Sequence, residues 1–229
     1  MKLNTSKSKS CCFSRSHTLL PPHGDLCLDG SVLTSCDELK ILGVMFDQKL
    51  TFEHHIRSLV NSASRKLGLM RKAYTIFNDV SISGRCFNCF VLPHLEYCAP
   101  VWSSAAASHI RLVDKVLNTG QFLCDGNPLC DLGHRRNVGK VCMLYKIRSN
   151  PSHPLHSCVP GQYVPARNTG LASSLHSFTL QAVKCHTSQF QRCFLPSAVR
   201  LWNSLDGDTC AAGSVHTFKS KANKYLRSI

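Results

Sequence analysis

The run Lys40-Ile41-Leu42-Gly43-Val44-Met45-Phe46-Asp47-Gln48-Lys49-Leu50-Thr51-Phe52-Glu53-His54-His55-Ile56 decides how the rest of the chain is read. Ile41, Leu42, Val44 and Phe46 are β-branched or bulky, which favours extended backbone. Gly43 inside that run marks a bulge or a close approach by another backbone. Asp47-Gln48-Lys49 reads as a turn. Thr51 is placed to cap a helix, and Glu53 suits the positive end of that helix. The order predicted is strand, turn, helix start. Asp47 reads as a turn or capping residue rather than a catalyst.

Downstream, the pattern turns helical. From Thr51 to Lys72, Ile56, Leu59, Val60, Ala63, Leu67 and Met70 recur at i, i+3, i+4, i+7 and fill one arc of roughly 100°. Arg57, Arg65 and Lys72 lie within roughly 80° of one another on a different face, with Arg71 near its edge. Such a helix offers an apolar side for packing and a basic stripe for phosphates. A second helix is predicted over Ile82–Leu92, capped by Asp79 or Ser81, with Ile82, Cys86, Cys89 and Phe90 inward; Pro93 ends or kinks it. A third runs from Ala105 to Phe122, capped by Ser103 or Ser104, with Ile110, Val113, Val116 and Leu117 inward. Gly126-Asn127-Pro128 breaks the chain. A fourth, Asp131 to Arg148, buries Val138, Val141, Cys142 and Tyr145. Its basic start, His134-Arg135-Arg136, opposes the helix dipole, so those side chains are assigned to the surface or to a partner.

Upstream, Leu26-Cys27-Leu28 and Val32-Leu33 flank Asp29-Gly30, a favoured hairpin turn. Asn150 to Gly170 carries Pro151, Pro154, Pro160 and Pro165 and reads as an extended linker. In the last sixty residues Phe178–Val183 is a candidate strand, and Pro196 sits at a helix start. Val199, Trp202 and Leu205 are expected to bury one face there. Ser214 caps a final helix with Val215, Phe218, Ala222 and Tyr225 inward.

Twenty-seven Lys and Arg against 13 Asp and Glu leave a net charge of +14, which points to a polyanion such as nucleic acid. No apolar run approaches the roughly 20 residues that span a bilayer. The first ten residues carry no secretory core, so a reducing compartment, cytoplasmic or nuclear, is expected. The 14 cysteines fall mostly in apolar periodic segments and read as buried thiols. Cys86, Cys89, His94 and Cys98 form a C-x2-C-x4-H-x3-C spacing, the basis of an alternative reading as a small zinc-dependent nucleic-acid-binding module. The Phe90–Pro93 insert reads as a helix end rather than a metal-binding loop. No nucleophile–base pair, phosphate-binding glycine loop or dinucleotide fingerprint is present.

The opening stretch, continued through Arg85-Cys86-Phe87, His94-Leu95-Glu96-Tyr97-Cys98-Ala99-Pro100-Val101-Trp102, His134-Arg135-Arg136, Cys142-Met143-Leu144-Tyr145-Lys146-Ile147, Tyr163-Val164-Pro165 and Leu201-Trp202-Asn203-Ser204-Leu205, resembles the C-terminal part of jockey-like non-LTR (LINE) retrotransposon reverse transcriptases. Each motif alone is weak; the ordered set is specific. The resemblance implies that Leu42, Gly43 and Val44 correspond to the primer grip and that the following helices form a thumb. Such a thumb holds RNA, an RNA–DNA hybrid or DNA through backbone contacts. Lys7 matches a family lysine placed to protonate the pyrophosphate leaving group. The family holds its Mg²⁺ ions through a Tyr-x-Asp-Asp turn and an earlier aspartate of the palm, whereas this chain contains no Asp-Asp pair.

The reading is an α+β chain, mostly α. Residues 1–50 are the end of a palm with the primer-grip hairpin, 51–149 a helical thumb-like domain, 150–170 a linker, and 171–229 a small helical C-terminal extension. As a 5′-truncated reading frame without palm and fingers, it is expected to bind nucleic acid through Lys7, Arg57, Arg65, Arg71 and Lys72. No catalysis, bound cofactor or membrane contact is expected of it. A translated relic that binds nothing specifically is the bland alternative.

Overall fold

Short strands lead into helices, giving a mostly helical α+β chain, in a computed structural model that describes residues 4, 8–14, 26–77, 79–120, 131–164 and 176–228. Lys7, Phe122, the Gly126-Asn127-Pro128 break, Pro165 and Gly170 lie outside the described residues. The strands are β1 (Lys9–Ser10), β2 (Cys27–Leu28), β3 (Ser31–Val32), β4 (Thr34–Ser35), β5 (Glu38–Ile41) and β6 (Val44–Asp47). β2 and β3 form the hairpin expected around Asp29-Gly30, both residues having positive φ, as a tight turn of the right twist demands. β1 pairs in parallel with β4. Leu26, Val32, Ile41 and Leu42 are exposed, so this end of the molecule leaves apolar side chains uncovered.

The helices follow: α1 (Glu53–Phe77), α2 (Val80–Cys86), a π turn (Phe87–Val91), α3 (Leu92–Glu96), α4 (Ala99–Trp102) and α5 (Ala107–Gly120). Then come α6 (Leu132–Ser149), a 3-10 turn (His156–Cys158), α7 (Ser188–Arg192), α8 (Phe194–Asn203), α9 (Gly207–Cys210) and α10 (Val215–Tyr225). Caps match the sequence where a carboxylate or hydroxyl precedes the helix. Asp79 accepts from the Ser81 and Ile82 amides, Asp131 from those of Gly133 and His134, and Ser214 from that of Thr217. Ser103 and Ser104 do not cap α5; Ser103 closes α4, a short helix the pattern did not separate from α5. Phe178–Val183 makes one bridge, Leu180 to Gln162, rather than a strand. Pro196 enters α8 at its third residue, two later than its expected place. Among the described residues no helix is long and apolar enough to cross a membrane.

The second helix buries a different face from the one predicted. Ile82, Cys89 and Phe90 are exposed, while Ser83, Phe87, Val91, Leu92 and Leu95 go inward. Two phenylalanines compete here, and the space opposite Gly120 selects Phe87: a Cβ on Gly120 would stand 2.3 Å from its ring. The π turn then absorbs one extra residue, the Leu92 amide bonding to the Phe87 carbonyl, so that Pro93 can follow without breaking the run.

Two apolar clusters result, each holding one tryptophan. The first joins Val44, Phe52, Ile56, Leu59, Phe87, Leu95, Trp102, Val113 and Leu132. The second takes Val141, Leu144 and Tyr145 of α6 together with Leu180, Val199, Trp202, Leu205 and Phe218. Both indoles are buried and donate to a backbone carbonyl, Trp102 to Tyr97 and Trp202 to Phe178, as a buried indole must. Only Cys210 is buried among the described cysteines; the rest are half-buried or exposed. The buried-thiol reading is corrected accordingly: helix faces with Cys at their margins show the same periodicity as faces with Cys at their centre.

Candidate functional site

The opening stretch is a hairpin, not one strand. β5 and β6 pair from Glu38↔Asp47 to Ile41↔Val44, and Leu42-Gly43 is the two-residue turn, with φ of 47° and 89°. A glycine is at home in that region; a leucine is strained there. The hairpin tip is fastened to the helical part: the Tyr97 hydroxyl donates to the Leu42 carbonyl at 2.8 Å. Gly43 lies so close that an added Cβ would touch the Tyr97 ring at 3.4 Å. Leu42 itself remains 85% exposed, while Val44 is buried in the first core. Two motifs 55 residues apart in sequence thus meet at one point. The sequence pattern gave Tyr97 no role of its own, although it sits in the His94–Trp102 motif.

Asp47 ties the hairpin to α1. Its carboxylate accepts from the Thr51 amide and hydroxyl, both at 3.0 Å, and from the Phe52 amide at 2.7 Å. Burial works against its ionisation, but these hydrogen bonds prevail and hold the carboxyl below its ordinary value. Thr51, expected as the cap, reaches the Glu53 amide only at 3.4 Å and is itself held by Asp47.

The basic stripe of α1 is exposed as predicted: Arg57, Arg65, Arg71 and Lys72 all face outward. Their surroundings differ. Arg57 pairs with Glu53 at 2.8 Å, and Arg71 approaches the Thr119 carbonyl at 3.5 Å. On the same side stand two apolar residues outside the predicted packing face, Leu69 (68% exposed) and Ile76 (75%). Arg65, Leu69, Lys72 and Ile76 follow one another at i, i+4, i+7, i+11, a single line along the helix. Their signal was present in the sequence as two large apolar residues off the packing arc.

The His134-Arg135-Arg136 cluster is engaged by the molecule's own groups, with Arg135 on the surface, His134 half-buried and Arg136 buried. His134 bonds to Asn223 at 2.7 Å. Arg135 makes a two-pronged contact with Glu96. Arg136 is 8% exposed and meets Asp114 at 2.9 Å. The expectation of a surface or partner role is corrected for Arg136, which is buried, while Arg135 does lie on the surface. The dipole of their own helix opposes these side chains, but α3, α5 and α10 supply the groups that answer them.

Two known proteins are similar in sequence. One is the RNA-directed DNA polymerase from mobile element jockey of Drosophila funebris, 33% identical over 88 residues, 38% of this chain. The other is the probable RNA-directed DNA polymerase from transposon X-element of Drosophila melanogaster, 24% identical over 126 residues, 54% of this chain. The chain is a relative of the jockey-like non-LTR retrotransposon reverse transcriptases. The matches span 10% and 14% of those two polymerases, so the relationship concerns a small part of each. No protein-family model and no solved structure matches the chain.

The reverse-transcriptase relationship raises the question of metal. Among the described residues no three His, Cys, Asp or Glu side chains gather into a set fit for a metal ion. The described residues therefore offer no set for the paired Mg²⁺ ions that the resemblance implies, nor for a zinc ion at Cys86, Cys89, His94 and Cys98. Cys89 is exposed, and His94 is half-buried with its Nε2 unpartnered among the described residues. Burial, with Lys66 nearby, lowers the His94 pKa; burial, with His94 and His54 nearby, lowers that of His55. Both imidazoles are thus biased to stay neutral.

Proposed function

We propose that this chain is the thumb-side portion of a reverse transcriptase that retains contact with nucleic acid and does not polymerise. In this reading residues 1–50 end the palm, 51–149 form the thumb, 150–170 link, and 171–229 extend it. The observation that carries it is the line Arg65, Leu69, Lys72 and Ile76, exposed along α1 with Arg57 and Arg71 beside it. Cations spaced along one straight helix suit the regular phosphates of a duplex, and such contacts carry little sequence information. In this reading the two exposed apolar residues pack against sugars between the phosphates. Arg57 must leave Glu53 to reach a phosphate, so Arg65 and Lys72 carry the larger share. In this reading Leu42-Gly43-Val44, whose turn is fastened by Tyr97, corresponds to the primer grip. Polymerisation needs two metal ions about 3.5–4 Å apart, held by carboxylates; a chain without an Asp-Asp pair offers no such holder.

The test is binding to an RNA–DNA hybrid against salt, for wild type and for Arg57, Arg65, Arg71 and Lys72 changed together to Ala. Wild-type affinity is expected to fall with salt. The variant's slope should be shallower by about 0.9 for each phosphate it no longer neutralises. Equal binding by both proteins would remove the stripe from the proposal. Primer extension by the purified chain with Mg²⁺ or Mn²⁺ would overturn the non-catalytic reading.

A further inference from the structure

A second basic region shares no residue with this stripe. A cavity of about 460 Å³ opens between α5, α6 and α7 and is lined by Arg111, Arg136, Lys140 and Arg192, with Ser103 and Asn137. Four cations on one concavity repel one another, and burial deepens the cost. Arg136 and Lys140 are each only 8% exposed. One carboxylate answers them: Asp114 takes one arm of Arg136 at 2.9 Å. The other arm, Nη1, has no acceptor among the described residues, and neither does the buried Ser103 hydroxyl have a partner there. Arg192 spends its Nε on the Ser104 carbonyl at 3.3 Å. Lys140 forms no ion pair among the described residues, and desolvation, with Arg136 and Arg200 nearby, lowers its pKa to about 8. A buried guanidinium arm without an acceptor is costly to maintain, and Arg136 and Ser103, which carry these two unpartnered atoms, both line the cavity. Ala107 brings the first turn of α5 to the wall, adding the positive end of that helix; the first amides of α6 are taken by Asp131.

We infer that this cavity is a binding site for a phosphate group, either as free phosphate or as the terminal phosphate of a nucleic-acid strand. Guanidinium arms and an ammonium match the oxygens of that group. The volume exceeds what one small oxyanion needs and falls within the range of small-ligand sites, roughly 300–1,000 Å³. The apolar side of Ile110 on the same wall leaves room for what the phosphate is attached to. A backbone phosphate within a duplex fits less well, because a rigid double helix cannot enter a concavity of this size. The site shares no residue with the α1 stripe.

Calorimetric titration with inorganic phosphate tests the assignment, using wild type, Lys140→Met, Arg136→Gln and the fourfold α1 variant. Lys140→Met removes a desolvated charge and is expected to fold, so it keeps the test decisive even where Arg136→Gln fails to. Saturable phosphate binding is expected in wild type and in the α1 variant, with about a tenfold or larger loss in Lys140→Met, as for one charge-assisted hydrogen bond. No heat of binding at millimolar phosphate, or equal binding by wild type and Lys140→Met, would overturn the site. A paired oligonucleotide experiment identifies the source. Tighter binding of a 5′-phosphorylated strand than of its 5′-hydroxyl counterpart, competed by phosphate, assigns the strand end; equal binding of the two strands leaves free phosphate as the ligand. Loss of hybrid binding in the α1 variant with phosphate binding intact separates this site from the proposed thumb contact.

Discussion

The molecule carries positive charge in two ways. On α1 the cations stand exposed on an open side of the helix. Between α5, α6 and α7 they converge on a cavity, two of them almost wholly withdrawn from water. The first arrangement costs the fold little and gains little from any single ligand atom, since exposed charges are screened. The second is held against its own repulsion by the rest of the fold and is poised to gain from one well-placed anion. A side chain's contribution to binding and its contribution to stability are therefore expected to coincide less on the stripe than in the cavity.

The largest expected difference is in stability. Arg136→Ala leaves Asp114 unanswered and empties a buried position. It should cost roughly 1–3 kcal/mol, less than for a fully buried pair because Asp114 is partly exposed. Arg65→Ala should stay within about 0.5 kcal/mol of wild type. Urea midpoints measure both, and equal values would erase the distinction between the two regions.

Lys140→Met should separate stability from binding. Removing a desolvated ammonium is expected to raise stability by about 1 kcal/mol while weakening phosphate binding. Lower stability together with weaker binding would make Lys140 a supporting residue of the fold.

A pH profile sharpens the same point. The folded Lys140 titrates near pH 8 against 10.5 ordinarily. Between those values the unfolded chain binds more protons than the folded one. This group therefore makes the protein more stable as pH rises through that window. Ligand binding runs the other way. Sulfate, whose charge is fixed over this range, should bind about tenfold more weakly at pH 9 than at pH 7 as Lys140 loses its proton. Arg111, Arg136, Arg192 and Arg200 keep their charge, and Cys193→Ser controls for the thiol facing Lys140. Hybrid binding by the α1 stripe should be flat over the same range.

The smallest effect concerns cations that appear only in acid. His55 and His94 have lowered pKa values, chiefly from burial. The unfolded chain takes up their protons first, so stability is expected to decline as pH falls below about 6.5. Denaturation midpoints at pH 7 and pH 5, compared with a His94→Gln variant, measure this. A midpoint that does not change with pH would mean that neither ring is held neutral.

Much of the fold was legible because the signals were local. Asp29-Gly30 marked a hairpin, Asp79, Asp131 and Ser214 marked helix starts, and the apolar arc of α1 was a matter of spacing. The stripe was legible for the same reason: neighbours on a helix face are three and four residues apart. The errors arose where distant residues chose between local options. Phe87 rather than Phe90 went inward because Gly120 left room for its ring. Leu42-Gly43 became a turn because Val44 had a core to enter and Tyr97 held the tip.

The sequence alone determined the order of the elements, the surplus of positive charge and the motifs that tie the chain to jockey-like reverse transcriptases. Tertiary structure decided which charges remain in water. Arg136 follows Arg135 in one basic run, yet only the arrival of α5, with Asp114, and of α7, with Arg192, turns Arg136 and Lys140 into a cavity wall. Burial and repulsion depend on distance in space, and a pattern along one helix contains no information about the charges that another helix brings to it.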